Sequence, residues 1–307
     1  MEITGLKMAC FNTTKVGVLR GVLDHYGLNG TDAWAFGASG HAFAINIHET
    51  LCPSGPYCWD NGPFHRLVRN LGVAVEDCGF FSQQSGAEER RKVEAALVKE
   101  LDQGVPCSLI NMENQLITGC DDTGFLTAQP WAPHVDFPPR HLTFGTWEEL
   151  GKEIHLDFFI WRRAEPAPAR EAAAASLEYA VDMARNPGAH TREPYAAGLQ
   201  AYPKWVAAVR AGHGSSHGNW WNGTVWAECR RMASAYLTEI GERFPAAAEM
   251  SNPLAAAYGA VAEMLGQASD KELDADRKVG LIEAAAQEEA AAVEGLPALA
   301  DAVRQAA

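Results

Sequence analysis

Val105–Thr127 reads VPCSLINMENQLITGCDDTGFLT. Val105–Ile110 is an apolar run of strand length, and Leu116–Cys120 and Phe125–Thr127 flank Asp-Asp-Thr-Gly, a turn sequence that predicts a hairpin. Upstream, Glu88–Leu101 carries a helical pattern that stops at Gly104. Downstream, Asp157–Trp161 (DFFIW) is a further strand. Nearer the start, Val16, Leu19, Leu23 and Tyr26 recur at helical spacing before Gly27, with Asn12 or Thr13 placed to cap. A helix followed late by strands predicts an α+β fold.

The pattern changes at Ala164–Arg170, AEPAPAR, where alternating proline disfavours helix and reads as a short stiff linker. Beyond it the chain is alanine-rich and helical in period. Helices are expected at about 170–185, 195–210, 222–243, 253–267 and 270–306, the last as a solvated cover helix rich in Ala and Glu. Two domains follow, residues 1–165 as α+β and 166–307 as a helical bundle.

The 307 residues carry 25 Lys and Arg against 39 Asp and Glu, a formal charge of −14. Such a surface repels phosphate, which argues against nucleic acid or an anionic membrane as partner. No run of about 18 uncharged apolar residues exists for a membrane span. The opening MEITGLKMACFNTTK lacks the features of a secretory signal, so a soluble cytoplasmic protein is expected. The seven cysteines are scattered without Cys-x-x-Cys pairing, which predicts reduced thiols and no zinc site.

The segment 37–59, GASGHAFAINIHETLCPSGPYCW, is densest in chemistry-bearing types. His41 follows Gly40 and enters an apolar run, either as a proton carrier or as a core histidine bonded to backbone. Glu113 sits between two apolar runs, where an unpaired charge is costly. It reads either as a proton carrier or as an exposed turn tip. Cys10 precedes the first helix, whose N-terminal dipole favours a thiolate; otherwise it is inert. Trp59, Trp221 and Asn222 are candidates for holding substrate, with packing as the alternative. His213 and His217 have His-x3-His spacing in a Gly/Ser loop, and no metal or other cofactor is expected.

Taken together, TTKVGVLRGVLDHYG, GHAFAINIHETLCPSGP, LVRNLG, ITGCDDTGF and NGTVWAECRRMASAYL resemble bacterial proteins with a butirosin-biosynthesis H-protein-like N-terminal domain and a helical C-terminal domain. The resemblance spans roughly 8–244. It implies a papain-like α+β fold related to double-glycine leader peptidases. It also implies transfer of an acyl group from a carrier-protein thioester to an amine, using a Cys at the first helix and a His before the hairpin. Here the nucleophile position falls near Thr13 or Thr14, with Cys10 about one turn earlier. The hairpin carries Glu113 and no histidine, and Cys120 replaces the usual aromatic. The family's thiol dyad therefore cannot be assembled from the matching positions.

The expected function is specialised-metabolite (antibiotic-type) biosynthesis: acid–base cyclisation or elimination/addition on a polyketide- or peptide-like, apolar small molecule. His41 and Glu113 would move protons while Trp59, Trp221 and Asn222 position the substrate. One alternative is a carrier-protein-dependent acyltransferase with Cys10 as nucleophile and His41 as base, served by an acyl carrier protein. Another is a non-catalytic small-molecule-binding protein. The amphipathic C-terminal region would support a homodimer.

Overall fold

The computed structural model describes residues 1–131, 135 and 137–306. Along the chain come α1 (Thr14–His25), α2 (Asp32–Ala38), β1 (Asn46–His48), α3 (Gly62–Asn70), β2 (Val73–Ser82) and α4 (Ala87–Asp102). Then follow β3 (Cys107–Ile110), β4 (Asn114–Cys120), β5 (Gly124–Thr127), β6 (His141–Thr143) and β7 (His155–Arg163). The C-terminal part holds α5 (Ala169–Arg185), β8 (Tyr195–Ala197), α6 (Ala201–Ala208), α7 (His217–Arg243), α8 (Ala248–Ala268) and α9 (Ala275–Gln305). This is a mixed α+β architecture with a helical C-terminal region. No helix among the described residues is long and apolar enough to cross a membrane.

Two compact units emerge, Met1–Asn29 with Leu71–Pro166, and Gly30–Asn70 with Ala167–Ala307. The last change of unit falls inside the AEPAPAR linker. Residues 30–70, assigned from sequence to the first domain, pack instead with the helices of the second. Their apolar content, Trp34, Phe36, Phe43, Ile45 and Ile47, is buried.

The first unit is built on a six-stranded antiparallel sheet in the order β2-β7-β3-β4-β5-β6. Strand β7, between β2 and β3, buries Phe158, Phe159, Ile160 and Trp161 in succession, the mark of a strand covered on both faces. The hairpin read at 116–127 forms as β4 and β5, with Asp121 Oδ1 accepting the amides of Thr123 and Gly124 in the turn. Helix α1 buries Val16, Val18, Leu19, Val22 and Leu23 and approaches β4 closely at Gly21. A Cβ there would lie 2.7 Å from Leu116 Cδ1 and 2.2 Å from the Lys7 carbonyl oxygen.

In the second unit, α2 is capped by Thr31, whose hydroxyl accepts the Trp34 amide at 2.9 Å. The strand-free bundle expected from sequence is interrupted once. Tyr195–Ala197 pairs with Asn46–His48 instead of opening a helix, and α6 begins only at Ala201. Helix α7 starts at His217, five residues before Asn222, with Ser216 as its cap and Asn219 as the capped amide. The final helix is no mere cover: α9 buries Val279, Ile282, Val293, Leu296, Leu299 and Val303 against its neighbours.

Candidate functional site

Strands β3 and β4 pair Ile110 with Asn114, leaving Asn111, Met112 and Glu113 as the connecting turn. Met112 stands out at the tip, whereas Glu113 turns inward and is buried. The exposed-tip reading of Glu113 is thus not what forms. Its Oε2 accepts a hydrogen bond from Thr14 Oγ1 at 2.8 Å, across 99 positions of sequence. Thr14 Oγ1 in turn accepts from the backbone amide and the side-chain amide of Asn114, both at 3.2 Å. Thr14 is the first residue of α1, and Thr13 occupies the cap position without a side-chain capping bond. The carboxylate therefore lies at the N-terminal end of a 12-residue helix, where the dipole presents its positive pole.

A second carboxyl belongs to the same end of the sheet. Asp157 of β7 pairs with Ile110, the last residue of β3. Burial, with the Asp77 charge adding to it and Lys15 of α1 opposing, pushes its carboxyl up to about 6. An acid in that range exchanges protons near neutrality. The sequence signal for it was present, an acidic residue heading DFFIW, but the strand on its other side was not visible.

Cys10 also belongs to this unit. It is exposed, and the preceding Ala9 is tied to α1 through its amide to the Gly17 carbonyl at 3.1 Å.

His41, Trp59, Trp221 and Asn222 belong to the second unit. His41 is buried, with its Nδ1 3.7 Å from the Cys229 sulfur. Its ring meets Trp59 edge-on at 5.4 Å and Phe64 at 5.9 Å. That is a core environment, and Cys229 as its neighbour was not foreseen. Trp59 donates its indole N–H to the Pro56 carbonyl. Trp221 donates to Tyr57 Oη at 3.0 Å. Asn222, fully buried, spends its amide on the carbonyls of Cys52 and Gly218 and its oxygen on Trp226. Both α7 residues thus fasten the segment between β1 and α3 to the helix within this unit. The structure brings His41 next to Trp59, and Trp221 and Asn222 to that same segment, while Glu113, Thr14, Asp157 and Cys10 gather in the first unit.

Among the described residues no group of three or more His, Cys, Asp or Glu is arranged to hold a metal ion. Compared with known protein families and with curated proteins, the chain gives no match.

Proposed function

We propose that the protein is a cytoplasmic enzyme of specialised metabolism, acting by acid–base cyclisation or elimination/addition on a polyketide- or peptide-like small molecule. In this reading the first unit has a papain-like fold in which Thr14 and Glu113 stand where that fold's thiol and imidazole would. The observation that carries it is the buried 2.8 Å contact between Glu113 and the Thr14 hydroxyl at the start of α1. Glu113 acts as the base and Thr14 fixes the carboxylate's orientation. Asp157, whose carboxyl is raised to about 6, supplies an acid. His41 enters the reading only as a packing residue of the second unit.

The test is gene deletion in the producing strain, complemented by wild type or by Glu113→Gln. A cyclase deletion accumulates a compound isomeric with the product, and an elimination deletion one heavier by a molecule of water. Glu113→Gln is expected to leave that compound in place, with turnover down ~100- to 10,000-fold and an unchanged circular dichroism spectrum. Full complementation by Glu113→Gln would sink the acid–base reading.

A second reading, acyl transfer from an acyl carrier protein, is favoured by the exposure of Cys10 beside α1. It predicts a covalent acyl–Cys10 adduct by intact-protein mass spectrometry, lost in Cys10→Ser.

A further inference from the structure

A cluster that plays no part in that reading lies in the second unit, on the segment between β1 and α3. Ser54 Oγ donates to the Cys52 sulfur at 2.9 Å and shares a 2.8 Å hydrogen bond with Tyr195 Oη. Tyr195, at the head of β8, also hydrogen-bonds the Cys58 side chain, and both cysteine sulfurs bear on it electrostatically. One chain of hydrogen bonds therefore joins the two sulfurs through two hydroxyls. Burial, against the opposing Ser54 bond, pushes the Tyr195 hydroxyl up to about 12, so it stays protonated and keeps its hydrogen in the chain.

The backbone explains why two thiols six positions apart both bear on Tyr195. The Gly55 amide bonds to the Cys52 carbonyl and the Cys58 amide to the Ser54 carbonyl, closing two successive turns. Asn46 Nδ2 ties down the Gly55 and Cys58 carbonyls at 2.9 and 3.0 Å. Gly55 admits no side chain, since a Cβ would stand 2.3 Å from Asn222 Oδ1 and 2.6 Å from the Asn46 carbonyl oxygen. The fold thus carries Cys58 exposed and Cys52 half-buried on a fastened turn. Of the other thiols, Cys10 is exposed but belongs to the first unit. Cys107, Cys120 and Cys229 are buried, and burial followed by the Glu76 and Asp77 charges pushes Cys78 up to about 11.

We propose that Cys52 and Cys58 are a redox-active pair that a hydroperoxide oxidises to an intramolecular disulfide. Cys58, the more exposed, attacks as thiolate on the terminal peroxide oxygen. The O–O bond breaks, the departing oxygen leaves with the thiol's proton as water or alcohol, and Cys58 becomes a sulfenic acid. The Cys52 thiolate then attacks that sulfur. The S–O bond breaks, and hydroxide leaves as water with the second proton. Both sulfurs together lose two electrons, which the peroxide accepts. Because Tyr57 and the Cys52 carbonyl hold Trp221 and Asn222, oxidation is sensed at the first turns of α7.

The full chain, reduced and desalted, is exposed to a few equivalents of hydrogen peroxide, blocked with iodoacetamide and digested with chymotrypsin, which cleaves after Tyr57. The expected result is a pair of peptides joined through Cys52 and Cys58, two hydrogens lighter than the reduced sum and released by dithiothreitol. In Cys52→Ser, peroxide is expected to leave a dimedone-reactive sulfenic acid on Cys58. The proposal is overturned if both cysteines alkylate as fully as in the untreated control. It is equally overturned if Cys58 proceeds to sulfinic acid while Cys52 remains alkylated.

Discussion

Asp157 shows what a single residue can reveal. Its carboxyl is raised by burial first and by Asp77 second, with Lys15 pulling the other way. A folded-state value near 6 lies above the unfolded value of about 3.9, so the folded chain holds this proton more tightly. Its contribution to stability is full below about pH 4 and is lost as pH rises through about 6. Asp157→Asn cannot ionise and is expected to raise the urea midpoint over wild type at pH 7.5, with the gain shrinking toward pH 4. Equal midpoint differences at both pH values would show that Asp157 carries no such strain. At this scale Glu113 was legible, because a charge between two apolar runs must find a partner. Thr14 as that partner was not, since nothing local to either residue couples positions 99 apart.

Glycines decide the element scale. The segment HGSSH at 213–217 reads as a Gly/Ser loop and the helix is expected only from about 222, because glycine weakens a helix, yet α7 already begins at His217. Gly218 is there because a Cβ would stand in the Leu51 carbonyl, and Gly223 because one would meet Ser269 at 2.5 Å. These are contact glycines, and a helix accepts them when a neighbour's approach more than offsets the lost propensity. Gly37 of α2 is of this kind, with the Tyr236 ring 1.9 Å from a Cβ, whereas Gly280 of α9 has nothing within 4 Å. Gly37→Ala is therefore expected to cost about 1–3 kcal/mol or more through overpacking. Gly280→Ala should instead gain up to about 1 kcal/mol from helix propensity. Chemical denaturation of the two variants checks the opposite signs; a shared sign would refute the distinction.

For the whole molecule, the decisive fact is which segments share a core. The second unit is gathered around Arg230 of α7, fully buried and paired with Glu289 of α9 at 2.6 and 2.7 Å. The same guanidinium donates to the carbonyls of Ala42 and Ala44, and Tyr202 of α6 donates to Glu289. One ionic group thus joins residues 42–44 to three C-terminal helices. Arg230→Met strands a buried carboxylate and is expected to cost about 3–5 kcal/mol. Adding Glu289→Leu should recover part of that loss and no more, because the Ala42 and Ala44 carbonyls still lack their donor. Equilibrium unfolding of single and double variants measures both effects. A near-neutral Arg230→Met would mean the network is not what holds residues 30–70 in this unit.

What the sequence determined by itself was local. Strands at 105–110, 116–120, 125–127 and 157–161, helices at about 16–26 and 88–101, and the break near 165 follow from the periodicity of apolar residues and from turn chemistry, and elements overlapping each of them form. Tertiary structure alone decided the rest. It set Glu113 on Thr14, His41 beside Cys229, Cys52 and Cys58 on one hydroxyl chain, and residues 30–70 among the C-terminal helices. The reason is physical. A buried polar group or a side-chain-free helix surface must be matched by whatever the fold brings to it, and that match carries no signature in either residue's own neighbourhood.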